Sequence, residues 1–309
     1  MKKLLFLSLI ACSIFHLQSC QSQELNYFDQ AVPGKTPQLF APGIVNTSAI
    51  ELNVVFNSEH TEMFFSRIVE GSFVIFHSER SHQEWSAPTA LQLYPPNLSL
   101  TVACDPTISA DGKTLYFLGV DPTLYREDIS LDSLYRIPPD IYKSEKVNGQ
   151  WQLAEKVPDP VSTEGLESYP IVVGDGSLYF IARRAGGAGG SDIFRAQYTD
   201  EGTFRTPTSI PVNDEQNATS TYVNFNENLI VASSRDGFKV YRKENDAWKG
   251  PFRVDIAYEE GYVYFCPYMS PDGKYFFYTQ RYSGSGKPGW AEVTEGEVFW
   301  VSAEVLGKN

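Results

Sequence analysis

Five acidic residues are the first candidates for chemistry. Glu51, Asp105, Glu167, Asp214 and Glu260 each lie at or just before a short, strand-like apolar run. Glycoside hydrolysis needs two carboxylates held about 5 to 9.5 Å apart, one as acid and the other as nucleophile or base. Spacing along the chain supplies no such distance, and acids at strand starts also serve as turn formers and solvated loop residues. Arg183 and Arg184 stand beside a glycine run and offer two cations to an acidic sugar or an acidic protein surface, or simply a solvated loop. The run itself, Gly186-Gly-Ala-Gly-Gly190, is followed by no helix whose N-terminus could hold a phosphate.

Other constellations point away from catalysis. His60, His77 and His82 are close in sequence, but one falls in a turn and another follows a strand, so they do not read as a metal site. Gly284-Ser-Gly286 lacks the strand-then-helix setting of a nucleophile elbow. Cys104 and Cys266 show no CxxC spacing and read as two buried thiols in preference to a disulfide. No cofactor and no metal is called for.

These groups act together only if the fold gathers them, and the chain carries an internal repeat that does so. Asp105-Pro-Thr-Ile-Ser-Ala-Asp-Gly-Lys-Thr-Leu-Tyr-Phe117 returns as Tyr169-Pro-Ile-Val-Val-Gly-Asp-Gly-Ser-Leu-Tyr-Phe180 and as Cys266-Pro-Tyr-Met-Ser-Pro-Asp-Gly-Lys-Tyr-Phe-Phe-Tyr278. Two copies, at 53–65 and 221–232, lack Asp-Gly and have Glu59-His60 and Glu227-Asn228 in its place. Asp-Gly supplies the positive φ that a tight turn needs between two strands, so each copy reads as a β-hairpin. A third strand follows every copy, at 73–77, 140–143, 192–195, 238–242 and 297–301. In four repeats an outer strand comes next, marked by Trp85, Trp151, Phe204 or Trp248. Each unit is a four-stranded antiparallel sheet of propeller-blade size.

The fifth unit ends without an outer strand, and Leu39-Phe-Ala-Pro42 at the other end of the chain matches the missing element. The expected fold is therefore all-β, a propeller of five blades whose ring is closed by an N-terminal strand joining the C-terminal blade. Six blades is the alternative, with a further sheet between Leu118 and Pro139.

The copy at 106–117, the Ser-Pro-Asp-Gly-Lys copy at 270–274 and Arg183-Arg-Ala-Gly-Gly-Ala-Gly-Gly-Ser-Asp-Ile-Phe194 resemble the WD40-like β-propeller repeat of TolB-type proteins. The resemblance runs from about Pro37 to Leu306. It implies a periplasmic or surface propeller that docks proteins or glycans and has no shared catalytic set.

The N-terminus reads as an export signal. Lys2 and Lys3 precede an apolar run from Leu4 to Phe15 that is too short to span a bilayer, and Leu17-Gln18-Ser19-Cys20 resembles a bacterial lipobox. Residues 1–19 are then a cleaved signal, Cys20 the lipid-modified first residue, 20–36 a tether and 37–309 one propeller domain. Cleavage removes two lysines and no acid, moving the formal charge from -13 to -15. So acidic a surface repels phosphate backbones, which excludes nucleic acid as a partner. The function expected is a lipid-anchored scaffold at the outer membrane, on its periplasmic or cell-surface face, that binds an envelope protein or a glycan. The alternative is a carbohydrate-active enzyme using carboxylates at the channel mouth. Tyr258, Tyr262, Tyr264, Tyr282 and Trp290 are candidates for stacking on sugar rings.

Overall fold

The computed structural model describes residues 25–98, 101–124, 137–213, 218–234, 236–282 and 296–307. Among them helix is limited to two single 3-10 turns, Pro122–Leu124 and Ala303–Leu306. The rest of the regular structure is β, and it falls into five antiparallel sheets.

A short strand, β1 (Gln38–Leu39), precedes the first complete sheet, which holds β2 (Ile50–Phe56), β3 (Glu62–Val69), β4 (Ser72–Ser81), β5 (Glu84–Trp85) and β6 (Thr89–Ala90). The second blade is β7 (Ala103–Ile108), β8 (Thr114–Gly119), β9 (Asp140–Val147), β10 (Gln150–Trp151) and β11 (Glu155–Lys156). The third is β12 (Glu167–Val172), β13 (Leu178–Ala182), β14 (Asp192–Ala196) and β15 (Thr208–Ser209). The fourth is β16 (Thr221–Val223), β17 (Leu229–Ser234), β18 (Gly237–Glu244) and β19 (Ala247–Arg253). The fifth has only three strands of its own, β20 (Tyr262–Met269), β21 (Tyr275–Tyr282) and β22 (Glu297–Ser302), and takes β1 as its fourth.

The first strands of the blades touch in turn, β2 with β7, β7 with β12, β12 with β16, β16 with β20 and β20 with β2. That closed circuit makes a five-bladed propeller with an axial channel. β8 and β9 pair directly, with Gly119 opposite Asp140, so the strands on either side of the stretch between Leu118 and Pro139 belong to one sheet, and residues 125–136 of that stretch lie outside the described residues.

Both ends of the channel follow from the turn chemistry. At one, here the turn end, the first hairpin of each blade reverses through a left-handed residue: Gly112, Gly176 and Gly273, but His60 and Glu227 in the first and fourth blades. Glu227 thus stands at the glycine position that the sequence pattern gives to Asn228. These non-glycine turns hold because Asn57 and Asn224 each accept two backbone N–H bonds through Oδ1, from Thr61 and Glu62 and from Asn228 and Leu229. At the other end, the loop end, second strands run into third strands, through two residues in the first and fourth blades and through longer segments in the other three.

Ring closure is extensive. β1 pairs with β22, Gln38 opposite Trp300 and Leu39 opposite Phe299. Trp300 is fully buried among Tyr27, Phe40, Tyr275 and Phe277. Tyr27 belongs to the segment expected to be a tether, yet it is 2 % exposed and packs at the turn end against His60 and Tyr275. The packed domain therefore begins by Leu25 and not at Pro37: an aromatic side chain from outside the repeat fills the seam between the last blade and the first.

Candidate functional site

Four of the five innermost strands carry a β-bulge at the same place, between Leu52 and Val55, Cys104 and Thr107, Ser168 and Ile171, and Phe265 and Tyr268. Within each, one residue adopts a left-handed backbone: Asn53, Asp105, Tyr169 and Cys266. A bulge bends the strand and re-aims a side chain. Here the bulged residues meet near the axis. Cys266 Sγ donates to Asp105 Oδ1 at 3.5 Å, Cys104 Sγ donates to Oδ2 at 3.7 Å, and the Asn53 side chain also bonds the carboxylate.

Among the described residues, Asp105 is the one candidate acid that reaches the channel. Burial raises its carboxyl from the ordinary value to about 6, while the hydrogen bonds from Cys266, Cys104 and Asn53 limit the rise. Burial and the neighbouring Asp105 carboxylate in turn push both thiols well above their usual range. Tyr169 is driven up by burial and by Asp105. Cys104 and Cys266 are free, as buried thiols. A cavity of about 140 Å³ opens beside Asp105, walled by Leu52, Phe73, Val102, Val120 and Tyr169. It suits a small apolar group with one polar atom directed at the carboxyl.

Glu51 and Glu167 do something else. Glu51 accepts from Thr47 Oγ1 at 2.6 Å and from Arg67 Nε at 2.8 Å, and Arg67 continues to the carbonyls of Ile44 and Val45. Glu167 repeats the arrangement with Thr163 Oγ1 at 2.8 Å and Arg184, which donates to the carbonyls of Pro160 and Val161. Both acids are 1 % exposed. Each arginine also lies over two phenylalanines, Arg67 over Phe65 and Phe76, Arg184 over Phe180 and Phe194. These are matched clasps that tie the entry loop of a blade to its own strands. Glu51 and Glu167 are therefore not free carboxylates at the channel mouth, and Arg184 is not free for a ligand. The sequence held the signal, Thr-x-x-x-Glu with an arginine on or just past the next strand, but only a comparison of the first repeat with the third isolates it.

The remaining candidates scatter. Arg183 is exposed on the glycine loop, where Gly187 is required because a Cβ there would lie 2.1 Å from Asp192 Oδ2. Glu260 is exposed in the turn before β20. Asp214, Trp290, Gly284-Ser-Gly286 and Cys20 lie outside the described residues. Tyr258 and Tyr264 pack against each other at 4.9 Å within the last two blades, while Tyr282 is half exposed over Tyr262. His60 is buried against Phe56 and Tyr27, and burial lowers it to about 4. His82 is exposed in a turn, and His77 pairs with Glu62. The three histidines thus occupy three separate settings.

At the turn end a wider funnel of about 560 Å³ is lined from all five blades, including Phe56, Ile108, Ile171, Phe225 and Tyr268. Phe225 is 57 % exposed at its rim, backed by Gly174, whose N–H donates to the Phe225 carbonyl.

No family model matches the chain, and no curated protein matches it. Solved structures do. An α-L-arabinofuranosidase from Lactobacillus brevis aligns at 13% identity over 89% of this chain and 92% of its own, with a TM-score of 0.50. The catalytic domain of the GH62 α-L-arabinofuranosidase of Coprinopsis cinerea aligns at 10% identity over 88% and 97%, also at 0.50. A putative TolB from Agrobacterium tumefaciens aligns at 14% identity over 76% and 71%, at 0.46. At such identities the likeness is one of fold. By its own circuit of sheets the chain is a five-bladed β-propeller.

Proposed function

We propose that this chain is an exported, lipid-anchored propeller that works as a binding scaffold in the cell envelope and takes an envelope protein or a glycan at its loop end. The observation that carries the reading is the packing of the N-terminal segment. Tyr27 is buried at the turn end, and Trp85 Nε1 donates to the Asn26 carbonyl while Asn26 Nδ2 donates to the Gln83 carbonyl in the outer turn of the first blade. Cys20 stands only five residues before Leu25. Five residues span at most about 18 Å. Lipid chains on Cys20, each buried methylene contributing about 0.8 kcal/mol, would hold the turn end toward the membrane. The loop end, with the Asp105 cavity and the Arg183 loop, then faces away and is free to bind.

Hydrolysis by paired carboxylates has less support, since buried Glu51 and Glu167 are each paired with a partly buried arginine. The test is to display the lipidated protein on vesicles and probe it with a glycan array and with fractionated envelope proteins, alongside Arg183→Glu. A ligand retained by the natural protein and lost from the variant supports the scaffold. Release of sugars from a polysaccharide, abolished by Asp105→Asn, overturns it in favour of an enzyme.

A further inference from the structure

The seam between the first and second blades gathers three ligand atoms that no part of the binding reading uses. Glu62 opens β3 and sits opposite Glu79 on β4, and His77 lies two residues before Glu79 on the same strand. Residues two apart on a strand share a face. His77 Nε2 is 2.9 Å from Glu62 Oε2 and 3.9 Å from Glu79 Oε1, and the three ligand atoms all fall within 4.8 Å of one another. Ligand atoms bound to one ion at about 2.0 to 2.2 Å stand roughly 2.8 to 3.6 Å apart, so the spacing needs only a small contraction.

A cation already occupies the middle of this cluster. Lys146, at the end of β9 in the second blade, brings Nζ to 2.7 Å from Glu62 Oε2 and 3.5 Å from Glu79 Oε1. Its single positive charge lies beside both carboxylates, where a divalent ion would bring twice that charge. Around it the geometry is fixed: the His77 ring stacks on Phe64 at 4.7 Å, and Phe64 meets Trp151 edge-on at 5.7 Å.

We infer that Glu62, His77 and Glu79 form a binding site for a divalent metal ion of the zinc class, with Lys146 as a tethered cation that competes for it. An imidazole and two carboxylates are a ligand set that zinc accepts, with further positions left for water. Glu79 is 59 % exposed, which provides the entry path, and the four-carbon stem of Lys146 lets its ammonium swing outward. Binding displaces the lysine and requires the proton that His77 Nε2 shares with Glu62 to move to Nδ1 or to solvent, which frees the nitrogen lone pair for the ion.

The test is calorimetric titration of Zn(II) into the full chain, paired with the visible absorption of Co(II), on the natural protein and on His77→Gln, Glu79→Gln and Lys146→Met. One equivalent is expected to bind the natural protein. Affinity should fall at least about tenfold in His77→Gln and rise about fivefold to tenfold in Lys146→Met, where the competing cation is gone. Circular dichroism checks that each variant is folded, and Glu79→Gln, altering the most exposed ligand, serves if His77→Gln is not. Absence of binding by both the natural protein and Lys146→Met overturns the site. So does binding that is indifferent to His77 and Glu79.

Discussion

Cys266 Sγ donates to Asp105 Oδ1 at 3.5 Å although 161 residues separate the two in sequence. The contact crosses the axis from the fifth blade to the second and gathers a carboxyl, two thiols and an amide there, beside the Tyr169 phenol. A buried carboxyl of this kind titrates with the fold.

The first prediction concerns pH. The native state holds the Asp105 proton more tightly than the unfolded chain, with a value near 6 against an ordinary 3.8. The unfolded chain ionises first as pH rises, so this group's contribution to stability falls between about pH 4 and pH 6 and is level above. Asp105→Asn should remove that fall and stabilise the protein at pH 7.5 by up to about 3 kcal/mol. His60, lowered to about 4, works in the opposite direction over the same range. It is common to both proteins and cancels in the difference. Urea midpoints at pH 4.5, 6 and 7.5 check this; an equal offset at all three contradicts it.

Both thiols should be inert while the protein is folded. Cys104 and Cys266 are buried and pushed well above the ordinary thiol range, so the reactive thiolate is scarce and shielded. A dithionitrobenzoate assay at pH 8 is expected to show neither reacting until denaturant is added. Rapid titration of either in the native protein speaks against the channel as described.

The clasps make a sharper demand on stability. Arg67→Met leaves the Glu51 carboxylate buried without its cation and should cost about 3 to 5 kcal/mol. Adding Glu51→Gln should recover much of that loss, because the double variant strands no charge. Arg184→Met with Glu167→Gln should behave alike. Denaturation of the double-mutant cycle measures both, and a loss under about 1 kcal/mol for Arg67→Met alone would mean that the pair is decorative.

What was legible beforehand follows from where the information lay. The hairpins were readable because Asp111-Gly112, Asp175-Gly176 and Asp272-Gly273 need a left-handed turn, and the closure was readable because Leu39-Phe-Ala-Pro42 supplied the strand missing after Val301. Register within the fourth turn was misread by one residue, since Asn224 stabilises a left-handed Glu227 without any glycine. The bulges at Asn53, Asp105, Tyr169 and Cys266 share no residue type, and the proline that follows three of them, Pro106, Pro170 and Pro267, marks the start of the repeat without showing the bulge before it. Tyr27 was hidden for another reason: it lies outside the repeat, and only the shape of the seam explains its burial. Glu51 and Glu167 were noticed as acids, but their role depended on arginines 16 and 17 residues away.

Asn46 latches the ring. Its Nδ2 donates to the carbonyls of Phe40 and Val298 at 2.6 and 2.8 Å, and its Oδ1 accepts the Val298 N–H at 2.8 Å. Asn46→Ala leaves these buried groups unpaired, at a cost of about 1 to 3 kcal/mol for each that finds no substitute. Hydrogen exchange is expected to quicken first along β1 and β22. Uniform exchange across all five blades would contradict a localised latch.

The central claim is that the turn end faces the membrane and the loop end is presented. Fluorophores at Asn226→Cys, on an exposed turn of the fourth blade, and at Ala185→Cys, on the exposed glycine loop, can be read by energy transfer to an acceptor in the vesicle surface. Mass spectrometry of the N-terminal peptide should first confirm lipid on Cys20. Transfer is predicted to be strong from position 226 and weak from position 185; equal transfer, or the reverse order, in the lipidated protein would contradict the account.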